Sequence, residues 1–88
     1  MHNNAAEIVM YTTQWCGDCY RAKAVMKSMQ VSFAEIDISY DEEAAEKVLQ
    51  LNGGHSSVPT IVFPDGSFLT EPSTTALVQK LNALVGAA

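Results

Sequence analysis

Cys16 and Cys19 stand three positions apart in the stretch TTQWCGDCYRAK, and the chain has no other cysteines. Such a pair can hold a metal, close a structural disulfide or exchange thiols. A structural zinc site takes four ligands, and a catalytic one takes three with a water. Beside its two thiols the chain offers only His2 and His55, with no second cysteine pair, which argues against a metal held within one chain or shared between two. A disulfide across so short a loop restrains the unfolded chain little. Thiol exchange remains, and it needs two sulfurs in unequal surroundings.

The neighbouring residues supply that inequality. If the loop ends at Cys16 and a helix starts near Gly17, the Cys16 sulfur lies against unpaired N–H groups at the positive helix end, which favour a thiolate. Cys19, one turn on, points to the same side and lies deeper, placed to attack a mixed disulfide on Cys16 while remaining a poor first nucleophile. Arg21 and Lys23 add positive potential, and Asp18 opposes it. Trp15 sets a large aromatic beside the nucleophile, suited either to packing over the preceding strand or to docking a substrate.

The elements that must position this pair are legible as hydrophobic patterns. Glu7 to Tyr11 is a short apolar run of β-formers, as in a strand buried on both faces of a sheet. From Gly17 the period turns helical, with Cys19, Ala22, Val25 or Met26 and Met29 on one face and Arg21, Lys23, Lys27 and Ser28 on the other. Val31 to Ile38 reads as a second strand. Ser39 and Glu42 suggest a capping box for a helix over DEEAAEKVLQLN, which stops at Asn52, Gly53 and Gly54. SSVPTIVF and SFLT read as two strands joined by a tight antiparallel hairpin around Asp65 and Gly66. Pro72 and Ser73 open a last helix with Leu77, Leu81 and Leu84 on one stripe and Val78 and Val85 beside it.

That order, β-α-β-α-β-β-α, puts a parallel pair and a terminal hairpin into one four-stranded mixed sheet with helices on both faces, a three-layer α/β/α sandwich. No linker or repeat interrupts it, so residues 1–88 are expected to form a single domain. With 88 residues, 48% of them hydrophobic and 17% charged, and no apolar run of membrane-spanning length, no membrane partner is expected. The net charge of −5, ten acidic against five basic residues, disfavours a nucleic-acid partner. MHNNAAEIVMY shows no basic, apolar and small-residue sequence of an export signal, so a reducing cytoplasm is the expected compartment.

The second informative stretch is SVPT, Ser57 to Thr60. A proline before an apolar strand is either the start of an edge strand or a cis-proline in a tight loop, and the general preference is trans. If cis, Val58 would offer its backbone to an extended cysteine-containing ligand beside Cys16. His55, alone in a glycine-rich loop, reads as a surface residue rather than a general acid.

WCGDC at a strand-to-helix junction, a distant SVPT, a PDG hairpin and a closing helix together resemble the thioredoxin-fold superfamily. Over about Glu7 to Val85 the chain is similar to glutaredoxins, and YTTQWCGDC, NGGHSSVPT and DGSFLTEPS look most like the mycoredoxin branch. The resemblance implies a thioredoxin-like fold and an oxidoreductase in which Cys16 is the nucleophile, Cys19 the resolving cysteine and Pro59 a cis-proline, with Val58 and Thr60 flanking the ligand. It implies no bound cofactor or metal. The cosubstrate would be a low-molecular-weight thiol, the partners S-thiolated proteins, and the working form a monomer.

Departures from the family pattern bear on which small thiol is used. Thr13 and Ser56 stand where glutathione-using relatives place a lysine and a basic or amide residue, and Thr70-Glu71-Pro72-Ser73 replaces their glycine-containing turn. A sugar-containing thiol such as mycothiol or bacillithiol, rather than glutathione, would suit the hydroxyls of Thr13, Ser56, Ser57, Thr70 and Ser73. Taken singly, each of these also fits a solvated loop residue or helix cap. Two other functions share the motif: a thioredoxin-like dithiol carrier re-reduced by a disulfide reductase, and an iron–sulfur or metal carrier.

Overall fold

Strand β1, Ile8–Thr12, is buried along nearly its whole length because its alternate side chains enter two different cores. The computed structural model describes residues 7–86, with side chains as far as Leu84; His2 and the side chain of Val85 lie outside the described residues. Ile8 and Met10 pack with Ala22 and Met26 of α1, Gly17–Ser28, and with Leu77 and Leu81 of α3, Thr74–Gly86. Val9 and Tyr11 face the other way, toward Ala44 and Val48 of α2, Glu42–Leu51. A strand with helices on both faces has no polar side to show, hence the continuous apolar run.

The remaining strands are β2, Phe33–Asp37, β3, Thr60–Val62, and β4, Phe68–Thr70. They form one sheet in the order β2-β1-β3-β4. β1 pairs parallel with β2, Ile8 opposite Phe33, and antiparallel with β3, Met10 opposite Ile61. β3 and β4 are the antiparallel hairpin, Ile61 opposite Leu69. The four-stranded mixed sheet between helix layers is the architecture expected. None of the described helices is long and apolar enough to cross a membrane.

Local chemistry explains where the boundaries depart from expectation. β2 starts at Phe33, not Val31, because the Val31 N–H is spent on Met26 O at 3.0 Å and that of Gln30 on Lys27 O at 3.0 Å. This paired closure of α1 puts Gln30 in the left-handed region, φ 58°, a position that glycine usually fills. The capping box expected from Ser39 and Glu42 does not form. Asp37 instead accepts from Ser39 N at 2.8 Å and caps a 3-10 turn, Ile38–Tyr40, while Asp41 accepts from Ala44 N at 3.0 Å and caps α2. Two aspartates four residues apart each cap their own turn, and a carboxylate suits the positive helix end better than a hydroxyl.

α2 ends as expected at Asn52, where Gly53 takes φ 64°. The β3–β4 turn runs Phe63 to Gly66, with Gly66 N donating to Phe63 O at 2.9 Å and Gly66 at φ 89°. Inside it the Asp65 carboxylate accepts from Ser67 N and Oγ and pairs with Lys80 at 3.2 Å. Hydrogen bonds from Ser67, with Lys80 behind them, lower the Asp65 carboxyl from 3.8 to about 2. Ser73 stands just outside α3, its Oγ accepting from Ala76 N at 3.1 Å, so Thr74 is the first helical residue.

Two outcomes follow. Gln30→Gly removes a Cβ from an exposed left-handed position and should stabilise the fold by about 0.5–1 kcal/mol, read as a higher urea midpoint; an unchanged or lower midpoint would show that the Gln30 side chain contributes to the closure. Asp65 titrates lower folded than unfolded, so its contribution is present in full above its unfolded value near 4 and is lost as the pH falls through about 2. Wild type should therefore exceed Asp65→Ala in stability at neutral pH, with a gap that narrows between about pH 4 and pH 2 in denaturant titrations.

Candidate active site

Cys16 is the N-cap of α1, in extended conformation at φ −117°, ψ 106°. β1 ends at Thr12 and three residues carry the chain to this cap, so the end of the strand and the first helical turn jointly fix the sulfur. The Cys19 N–H donates to Cys16 Sγ at 3.1 Å. A sulfur thus takes the place usually held by a serine or aspartate oxygen, and the orphan amide that favours negative charge is aimed at the atom that would carry it.

The two thiols, both free, differ as exchange chemistry requires. Cys16 is half-buried at the loop, whereas Cys19 is 2% exposed. Burial, then the hydrogen bond with Cys16, pushes the Cys19 thiol up to about 11, while the Thr12 hydroxyl and the Thr13 backbone act the other way. Cys19 is therefore protonated at neutral pH in the dithiol state and is a poor first nucleophile.

Across the cleft, the Val58–Pro59 peptide bond is cis, against the general trans preference and in line with the family resemblance. The Val58 carbonyl faces Cys16 Sγ at 3.7 Å and accepts from the thiol. Pro59 is buried, and its carbonyl accepts from Glu71 N at 2.8 Å, tying this loop to the turn after β4. Asn52 fixes the loop from behind. Its amide donates to Val48 O at 2.9 Å and to Thr60 Oγ1 at 3.0 Å, and its carbonyl accepts from Thr70 Oγ1. Thr60 in turn donates to Ser57 O at 2.7 Å.

This network changes the meaning of several residues. Thr60 is fully buried and Thr70 donates its hydroxyl to Asn52, so both hydroxyls are engaged in holding the loop. The Ser73 hydroxyl accepts the α3 cap hydrogen bond. Thr13 is half-buried beside Cys19, and Ser56 and His55 are exposed. Trp15 is 93% exposed, which overturns packing over β1.

Arg21 and Lys23 part company as well. Arg21 donates to Thr74 Oγ1 at 2.9 Å and Pro72 O at 3.3 Å and pairs with Asp18 at 3.2 Å, clamping α1 to the start of α3. Lys23 stays on the β2 side, paired with Glu35 at 2.9 Å. Sequence patterns give no signal for Asn52 beyond a helix stop or for Glu35 beyond a polar strand position. Among the described residues no group of three His, Cys, Asp or Glu side chains is placed to hold a metal ion.

The chain is similar to known proteins in sequence and in fold. The glutaredoxin family model matches residues 8–69. A Mycobacterium tuberculosis protein that carries a glutaredoxin name is 42% identical over 81 residues, 92% of this chain and 96% of that protein. Mycoredoxin 1 of Corynebacterium glutamicum is 32% identical over 80 residues, 90% of this chain and 98% of its own. The crystal structure of the thioredoxin-like protein BC3987 superimposes with a TM-score of 0.74 at 29% identity, covering 83% of this chain and 97% of that one.

An aromatic so exposed contributes little to the fold. Trp15→Ala should change stability by less than about 0.5 kcal/mol in denaturant unfolding; a loss above about 1 kcal/mol would restore the packing role.

Proposed function

The chain belongs to the glutaredoxin family and is a thiol-disulfide oxidoreductase, and on that premise we propose that it releases low-molecular-weight thiols from proteins through Cys16. The observation that carries this reading is the asymmetric pair: a half-buried Cys16 sulfur receiving the α1 N-terminal amide, with Cys19 buried and protonated behind it. Cys16 as thiolate attacks the small-thiol sulfur of the mixed disulfide, a new S–S bond forms, and the protein thiol leaves with the bonding electrons. A second small thiol or Cys19 then frees Cys16.

The small thiol, in this reading, is of the sugar-containing mycothiol or bacillithiol type rather than glutathione. Two things support it: the similarity to Mycoredoxin 1, and Thr13 and Ser56 in place of charged or amide residues near the site. With Thr70, Ser73 and Thr60 committed to internal hydrogen bonds, Thr13, Ser56 and Ser57 are the hydroxyls we assign to cosubstrate contact. Val58 offers main-chain groups, Pro59 shapes the loop, and Trp15 meets the thiolated protein. We take residues 1–88 as one domain, acting as a monomer in the cytoplasm.

The likeness to the thioredoxin-like protein BC3987 favours one other reading, a dithiol carrier that reduces protein disulfides and is itself recycled by a reductase.

The two readings part at Cys19. On a protein carrying a mycothiol or bacillithiol adduct, Cys19→Ser should retain at least about a third of wild-type deglycothiolation in the presence of that thiol, whereas Cys16→Ser has none. Complete loss in Cys19→Ser would favour the dithiol carrier. The same assay on a glutathione adduct should run about tenfold slower or worse; equal rates would remove the sugar-thiol assignment.

A further inference from the structure

Behind the reactive sulfur, between α1 and β2, lies a cavity of about 280 Å³ whose walls include Cys19, Tyr20, Lys23, Glu35, Asp37 and Thr13. Cys16, Val58 and Pro59 are not among its lining residues, whereas Thr13, which we assign to cosubstrate contact, is. Cys19 is one of the lining residues and is 2% exposed overall, so the cavity offers its proton a route to water.

The charges around that route come from two elements. On α1, Lys23 is seated by two contacts: its ammonium pairs with Glu35 Oε2 at 2.9 Å and lies 5.4 Å from the Tyr20 ring centre. The Tyr20 hydroxyl donates to Gln14 O at 2.9 Å, which fixes that ring against the loop. On β2, Glu35 and Asp37 bring two carboxylates to the same walls. β1 contributes the uncharged Thr12 and the loop after it Thr13 and Gln14, and Arg21 is turned away to α3. Cys16 is the remaining titratable neighbour of Cys19. Hydrogen bonding to Glu35, chiefly, raises the Lys23 ammonium above its ordinary value, so it stays charged.

We propose that Lys23, held over this cavity by Glu35, is a positioning residue that sets the ionisation of Cys19, opposing the carboxylates of Glu35 and Asp37. The proposal rests on the reading that Cys16 and Cys19 form the exchange pair. In the resolving step Cys19 gives its proton to water in the cavity, and its sulfur bonds to the Cys16 sulfur. The bond from Cys16 to the small thiol breaks, and that thiol leaves with the electron pair and takes up a proton. One disulfide replaces another, and no outside oxidant enters. An ammonium beside the cavity lowers the cost of the Cys19 thiolate, and a carboxylate raises it.

The test uses ¹³C NMR titration of the Cys19 Cβ in full-length protein carrying Cys16→Ser, so that a single thiol titrates and no cosubstrate is present. Lys23→Met should raise the Cys19 midpoint by about half a pH unit or more, and Glu35→Gln, whose amide can still accept from Lys23, should lower it by a similar amount. Both substitutions break the same ion pair, so a merely structural pair would move the two midpoints in one direction. Midpoints that move together, or that do not move, overturn the proposal. Asp37→Asn leaves the pair intact and should also lower the midpoint; an unchanged or raised value counts against the proposal even if a Lys23 variant fails to fold. Failure of the small-thiol reading appears separately, in the adduct-release assay.

Discussion

The Cys19 amide donates to the Cys16 sulfur at 3.1 Å, and through this one hydrogen bond the reactive atom is built into the fold as a helix cap. A cap has to sit where the first turn leaves its amides unpaired, so the sulfur's position follows from where β1 stops and α1 starts. That junction is secured on both sides. Ile8 and Met10 of β1 share a core with Ala22 and Met26 of α1, and Arg21 fastens the first turns of α1 to Thr74 and Pro72. Loosening either contact would move the sulfur away from its amide.

The second half of the site comes from a distant part of the chain, and its placement depends on polar rather than apolar contacts. Asn52 joins the end of α2 to Thr60 of β3 and Thr70 of β4, and Glu71 N meets Pro59 O. These bonds hold the Val58 carbonyl opposite Cys16. The Thr60 and Thr70 hydroxyls thus serve the scaffold, donating to Ser57 O and to Asn52. Of the other residues named for the site, Trp15 and Ser56 are exposed and Thr13, Ser57 and Val58 half-buried. A pair with one half-buried and one buried sulfur suits thiol–disulfide exchange in which Cys16 is the first to attack.

Much of this was legible in the sequence because it rests on periodicity. The apolar run of β1, the three-and-four spacing of Cys19, Ala22 and Met26, and the PDG turn each reflect a local rule that the structure obeys. The topology followed from their order, and the two cysteines stood out because their separation is one helical turn. What was not legible is set by contacts between distant segments. The cis Val58–Pro59 bond runs against the trans preference of X-Pro bonds, and only the family resemblance pointed to it. Arg21 and Lys23 look alike in sequence, yet one reaches α3 and the other β2. The α2 cap went to Asp41 rather than Ser39 because the intervening residues form a separate turn with Asp37 as its own cap. Asn52 read as a helix stop, and its second role as the node between three elements carries no local signature.

The central claim is that the small-thiol sulfur, not the protein sulfur, becomes bonded to Cys16. Intact-mass measurement of a Cys19→Ser protein, quenched with acid after reaction with an S-thiolated protein, tests this directly. The account requires Cys16 to carry the mass of the small thiol, with the protein partner released as a free thiol. A disulfide-linked complex between Cys16 and the protein partner as the accumulating species, with the small thiol set free, would contradict it.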